Sequence, residues 1–593
     1  MKSIQWYCAG TVRGRGLIGG LVLRAGVLLT ALAASSTAQQ PARPPLTDPD
    51  IDAIARLVML EDRRELDEAA VARSLRSVHP EVRRRAALAV GRIADVRGRA
   101  LLVAARMDSD TAVAATVVFS TGQLADTASI EWLATILSAP NAPPTVAREA
   151  AGALGKIRTP EAHAALARFL IAAPAAPRMS PVVGEALLSI GRFTTRGDLA
   201  PVLRWTTSPD TAIRWRAAWA LMRPRDPAAV THLLRLSDDP SPEVRFWAVR
   251  GLVAALADSA GIDRQRTSAR LRAATSDADR RVRTEALRAL GTYDDDASFA
   301  IILGALDSPD SWISVSAAEA MGRFQSRAAV VVPRLIAASQ ASRPRALRIT
   351  ALQPLATLAP DAARALAGEL ALDSNATARQ AATQALRRLD AQAAARADSA
   401  TVTGAARGNP TTPRAPAPPQ AQPQVQAARG SRTADTSLTI AHYRRIVERW
   451  VVPDYNGAAK RRAVWETPRG AIELELYPGD APLAVDYFMR LVESGEIVGT
   501  EFGRVVPNFV AQQRTIANAV TLRDEVNRHG LTRANLSWAS AGLDTGRPGY
   551  TLGSTPQPHN EGGFTALGRV VRGMDVVDRL ELGDPVSGAR IIR

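Results

Sequence analysis

The chain has 593 residues, of which 46% are hydrophobic, 22% charged and 5% aromatic, and its formal net charge is +16. That length exceeds what one compact core supports, so several domains or a repeat array are expected. The mixed composition excludes a wholly disordered or membrane-embedded chain.

Lys2, Arg13, Arg15 and Arg24 make a basic, acid-free start, followed by an apolar run from Ala25 to Ala34 and the small residues Ser36-Thr37-Ala38. This pattern predicts a secretory signal over residues 1–38, cleaved near Ala38, and hence a periplasmic or secreted protein. The apolar run is shorter than the roughly 20 residues of a spanning helix, so no membrane span is expected after cleavage. The single cysteine, Cys8, falls inside this segment. Catalysis by cysteine and thiolate metal sites are thereby excluded from the mature chain. The basic residues are mostly arginines spread along the sequence rather than gathered in a patch, which argues against a nucleic-acid partner.

From residue 46 to 390 the sequence repeats. Pro80-Glu81-Val82-Arg83-Arg84-Arg85-Ala86-Ala87-Leu88-Ala89-Val90-Gly91 returns as PTVAREAAGALG from Pro144, SPEVRFWAVRG from Ser241 and RRVRTEALRALG from Arg280. The anchor positions are Val82, Val113, Val146, Val182, Ile213, Val244, Val282, Ile313, Leu347 and Ala378, spaced mostly by roughly 31 to 38 residues. Apolar residues at i, i+4, i+5 and i+8 from each anchor define one face of a helix. A helix pair of this length cannot bury both its faces alone, and stacking the pairs makes a continuous core. The pattern resembles HEAT repeats, which implies an all-α solenoid that binds other proteins along its inner face. Arg follows the anchor in six units, at Arg83, Arg214, Arg245, Arg283, Arg348 and Arg379. The expectation is an internal ladder to turn carbonyls and an Asp of the next repeat, such as Asp95 or Asp226, in preference to an anion-binding stripe.

Residues 391–436 turn to Ala, Pro, Gln and Thr, predicting a disordered linker. Over 437–459, Ile440, Tyr443, Ile446, Val447 and Trp450 predict a short amphipathic linking helix that docks on the last domain.

From 460 to 593 the period changes. Ile472, Leu474 and Leu476 alternate with glutamates as in a half-buried strand. Asp480-Ala481-Pro482 opens a helix with Val485, Phe488, Met489 and Val492 on its inner face, closed by Gly495. The blocks RGAIELELYPGDAPLAVDYFMRLVESG, FGRVVPNFVAQ, LSWASAG and TALGRVVRGMDVVDRL resemble, in order and spacing, those of cyclophilin-type peptidyl-prolyl isomerases. The resemblance implies a mainly-β closed barrel of eight strands with two capping helices, acting on proline-containing polypeptides without cofactor or metal. It implies Arg504 as the catalytic donor to the prolyl nitrogen. Phe509 and Val510 would line the proline pocket and Gln512 would bind substrate backbone. Ala539, Ser540, Thr551 and His559 match further substrate-binding positions.

The chain also departs from that pattern. The glycine-rich loop after Gln512 is short, Ser540 stands where Asn is usual, and Gly549 and Thr551 replace a substrate-binding Gln and a pocket Phe. Asn560 stands where a Leu walls the pocket. An exported prolyl isomerase with a protein-binding solenoid is therefore weighed against a weakened or inactive peptide-binding scaffold.

Overall fold

The computed structural model describes residues 43–402, 437–516 and 520–592, with backbone alone over 396–402. The expected signal, 1–38, and the expected linker beyond Val402 lie outside these residues.

From Asp48–Arg63 onward the chain is helical, and the second helices of successive pairs stack in one row. They are Pro80–Ile93, Thr111–Gln123, Pro144–Ile157, Ser180–Gly191, Thr211–Met222, Pro242–Arg250, Arg280–Leu290, Ser311–Met321, Arg345–Leu358 and Ala376–Val402. Local chemistry sets their starts. Asp110, Asp210, Asp279 and Asp310 accept from first-turn amides, whereas Pro80, Pro144 and Pro242 occupy a first-turn site where no amide hydrogen is needed. Nearly all the anchors are buried, Ile313 being half-buried. Neighbouring helices approach so closely that a Cβ on Gly91 would lie 2.6 Å from Ser120 Oγ, and one on Gly122 would lie 2.7 Å from Ala153 Cα.

In four of the six units the arginine after the anchor is a rung between repeats. Arg245 donates to Asp277 at 2.7 Å and to the carbonyls of Asp239 and Pro240 at 2.9 Å. Arg83 and Arg214 repeat this with Asp108 and Asp239, and Arg348 reaches Asp373. Arg283 and Arg379 hold the turn carbonyls five and six residues before them. The partners differ from those expected. Asp95 pairs with Arg97, and Asp226 accepts from the Gly197 amide. The last helix also continues to Val402, past the boundary expected at 390. Its alanines at 391 and 393–395 favour helix without any apolar partner.

The C-terminal strands are β1 (Arg462–Thr467), β2 (Gly470–Leu476), β3 (Phe502–Val506), β4 (Val510–Gln513), β5 (Asn535–Ala539), β6 (Arg547–Gly553), β7 (Ala566–Arg572) and β8 (Gly588–Ile592). They form one antiparallel sheet in the order β3-β4-β6-β5-β7-β2-β1-β8. The sheet curls until its ends meet. Val586 N donates to Thr500 O at 2.9 Å, and Phe502 N to Asp584 O at 2.9 Å. Closure removes the unpaired edges. Helices Pro482–Glu493 and Met574–Arg579 cap the barrel, whose interior is filled by Trp465, Phe488, Phe502, Trp538 and Tyr550.

Rather than hanging from a tether, the barrel is seated against the helix row, and the described residues from Pro45 onward belong to one compact unit. Residues 440–455 are the shared wedge. Tyr443, Val447 and Val451 pack on Ile54, Val58 and Val82, while Ile446 and Trp450 enter the barrel core. Elsewhere the seam is polar. Arg92, fully buried, pairs with Glu61 at 2.6 Å and donates to the carbonyls of Asp480, Glu525 and Val526. Asn375 donates to Glu501 at 2.6 Å at the far end of the row.

Two substitutions test these contacts by chemical unfolding. Arg245→Ala is expected to cost about 1–3 kcal/mol, and Arg245→Lys to recover less than half of it, because an ammonium lacks the planar fork. Arg92→Met strands the buried Glu61 carboxylate and is expected to cost about 3–5 kcal/mol. Adding Glu61→Leu to that variant is expected to restore part of the loss.

Candidate active site

The hairpin β3–β4 turns at Pro507-Asn508, where Asn508 takes a left-handed φ of 60°, a conformation that Asn tolerates. Register then aligns one outward row across four strands. Arg504 faces Gln512, Gln512 faces Thr551, and Thr551 faces Ser537. The alternate residues Ala511, Leu552 and Leu536 point into the core. Arg504 is exposed and donates to Gln512 Oε1 at 3.3 Å. Its guanidinium carbon lies 5.4 Å from the centre of the Phe509 ring. Among the described residues no carboxylate lies within ion-pairing distance of it, and partial burial draws its pKa below the ordinary value. A permanently charged donor with a neutral amide neighbour keeps its hydrogens available to an incoming acceptor.

Phe509 is half-buried and stacks toward His559, with ring centroids 6.2 Å apart and planes inclined by 21°. Its carbonyl accepts from Ser554 N at 3.0 Å, and Thr555 Oγ1 donates to Asn508 O at 2.9 Å. These bonds hold the loop bearing His559 over the hairpin. Val510 is buried beneath them. Burial, reinforced by the charges of Arg223, Arg250 and Arg192, pushes His559 down to about 4. The ring is therefore neutral at physiological pH and presents an apolar face beside Phe509.

The remaining positions lie apart from this group. Ala539 ends β5, and Ser540 is engaged in its own loop, donating to Gly542 O, accepting from Gly542 N and meeting Thr545 Oγ1 at 3.1 Å. Thr551 is buried, its hydroxyl 2.6 Å from Ser537 Oγ. Ser537, which the sequence reading passed over, thus completes the polar row. The Gly549 substitution has a steric reason. A Cβ there would lie 3.0 Å from Gln513 O and 3.1 Å from Thr515 N, so the shortened loop occupies the space of a side chain. Asn560 folds back to donate to Gln557 Oε1 at 2.9 Å. Asn508 was also unforeseen as a structural seat. Its amide donates to Arg281 O and Glu285 Oε1, each at 2.9 Å, fixing the cleft against the helix row.

The cyclophilin type peptidyl-prolyl cis-trans isomerase model matches residues 463–592, and the HEAT-repeat model matches 98–180, 180–253 and 267–338. Peptidyl-prolyl cis-trans isomerase B of Bacillus subtilis is 35% identical over 128 residues, which are 20% of this chain and 90% of that protein. A peptidyl-prolyl cis-trans isomerase of Synechococcus elongatus is 31% identical over 139 residues, 22% of this chain and 96% of its own. A crystal structure of a cyclophilin-type isomerase from Cryptosporidium parvum, 18% identical, aligns with 23% of this chain and 99% of its own at a TM-score of 0.22. The last domain is thus a closed cyclophilin barrel with an outward cleft. The chain belongs to the cyclophilin-type peptidyl-prolyl cis-trans isomerases and joins that domain to HEAT repeats.

The depressed pKa of His559 has a consequence for stability. In the unfolded chain the ring takes a proton near its ordinary value of 6.5, whereas in the fold it does so near 4. Between those values the unfolded state binds more protons, so stability falls as pH drops from about 6.5 to 4. Unfolding titrations of wild type and His559→Phe are expected to diverge across that window, with the Phe variant less sensitive to acid.

Proposed function

We propose that the barrel catalyses cis–trans isomerisation of X–Pro bonds in exported client polypeptides, with Arg504 as the catalytic group. The observation that carries this is the Arg504 guanidinium, without a carboxylate partner among the described residues, standing over the Phe509 ring on an exposed face. Amide resonance sets a barrier of about 18–20 kcal/mol to rotation. At the twisted geometry resonance is lost and the prolyl nitrogen regains a lone pair. A donor that bonds this lone pair binds the transition state better than either planar isomer. Phe509, Val510 and the neutral His559 supply an apolar seat for the pyrrolidine ring. Gln512, adjoining Arg504, takes the substrate backbone. Ala539, Ser540 and Thr551 belong to the margin of the site, the last lending shape rather than a free hydroxyl.

The cell envelope is the proposed location, on the basic and apolar character of residues 1–38, and mass spectrometry of the exported protein is the check, with Gln39 as the expected first residue. Because the inner helix row is largely taken up by the chain's own barrel, client proteins are proposed to meet the solenoid on its remaining surfaces.

In a peptide isomerisation assay on the full chain, Arg504→Ala is expected to lower kcat/KM by about 100-fold or more, the scale on which loss of a transition-state donor acts. Gln512→Ala is expected to act mainly through KM. Background rates from both wild type and Arg504→Ala would instead leave a peptide-binding scaffold.

A further inference from the structure

The inner helix row carries a cation ten residues after the anchor, at Arg92, Lys156, Arg192, Arg223 and Arg323. Arg250 and Arg288 stand one turn earlier in their helices. Several of these side chains hold the barrel. Arg192 donates to Pro558 O at 3.0 Å and pairs with Glu561, and Arg288 donates to Pro507 O at 3.1 Å. Between those two contacts lies a gap. Among the described residues, no hydrogen bond or ion pair joins Thr211–Met222 or Pro242–Arg250 to the barrel.

That gap faces the prolyl cleft. One border is Pro558, the neighbour of His559. The other is Asn508, the neighbour of Phe509, seated on Arg281 and Glu285. The two cations in the gap, Arg223 and Arg250, are close enough to act on His559. Arg223 Nε is buried without a hydrogen-bond partner. The charges felt by Arg223 are the cations Arg250 and Arg158, and Arg158 has no carboxylate in reach among the described residues. Arg250 approaches Glu285 only at 3.9 Å, and Glu285 is already bonded to Arg288 at 3.0 Å and to Asn508. Arg223 and Arg250 therefore stand beside His559, with Arg158 next to Arg223, and among the described residues the one carboxylate near them, Glu285, is already shared.

We infer that Arg158, Arg223 and Arg250 form an anion-binding extension of the prolyl cleft, so that the solenoid selects substrates with a carboxylate or phosphate near the proline. This rests on the isomerase reading above. An incoming anion relieves the repulsion that Arg223 feels from Arg250 and Arg158 and satisfies a donor, Arg223 Nε, that the protein leaves unpaired. The barrel supplies the chemistry, and the array supplies the preference.

The test compares proline peptides that carry Glu, Gln or phosphoserine two residues before or after the proline, with the full chain at low and high salt. The Glu peptide is expected to exceed the Gln peptide about tenfold in kcat/KM at low salt, with the advantage shrinking as salt screens the cluster. The phosphoserine peptide separates a phosphate source from a carboxylate source, and preference for either over Gln supports the subsite. In Arg223→Gln/Arg250→Gln the ratio is expected to fall to about one. Arg158→Gln, at an exposed position, provides the same readout should the double variant fail to fold. Equal turnover of Glu, Gln and phosphoserine peptides by the wild type overturns the inference. If the wild type turns over none of them, the isomerase reading fails instead. Anisotropy titrations with the same peptides then decide the subsite, equal affinities rejecting it.

Discussion

A buried guanidinium bonded to main-chain carbonyls is the contact on which this architecture rests. Arg92 donates to Asp480, Glu525 and Val526, Arg85 to Gly479, Arg192 to Pro558, Arg280 to Asp578 and Arg288 to Pro507. Carbonyls in barrel loops need donors once water is removed, and a guanidinium has five in a fixed fork. Such burial is costly unless each cation keeps a counter-charge. Glu61, Glu81, Glu561, Asp310 and Glu285 supply those charges from beside the bonded arginines. Apolar contact alone allows sliding. Directional bonds of this kind fix how the barrel is rotated, and the rotation brings the cleft to face the interval around Arg223 and Arg250.

The proposed cleft is built from two unlike halves. Arg504, Phe509 and Gln512 sit on a tight hairpin whose turn is pinned to the helix row by Asn508. On the adjoining strands the pairing of Thr551 with Ser537 closes a polar contact where the sequence resemblance implied an aromatic wall, and the loop backbone at 513–515 fills the space beside Gly549. Apolar character instead comes from His559, kept neutral by burial and by solenoid arginines. One domain thus tunes a side chain of the other.

The repeat, the barrel and the block bearing Arg504 were legible in the sequence, because periodicity and contiguous motif blocks report local structure directly. The arginine ladder was legible as a ladder, but its partners were not. Asp108, Asp239, Asp277 and Asp373 sit in the turn preceding the next helix, a place set by the stacking rather than by any spacing rule. The seating of the barrel was invisible, since its acceptors are main-chain carbonyls, which every residue possesses. The cation ten residues after the anchor was the available signal, recurring as regularly as the rung arginine yet overlooked beside it. Helix propensity in the alanines at 391 and 393–395 likewise outweighed the compositional boundary drawn there.

Helical arrays ordinarily hold together by nearest-neighbour stacking, so their terminal units peel away first. Here Asp62 near the beginning and Thr377 near the end both touch the barrel, through Arg523 and Arg514. Peeling at either terminus therefore breaks bonds to a rigid body that is also held by the units between. The barrel acts as a clasp across the spring, and the whole assembly is set to melt as one cooperative block instead of fraying from its tips.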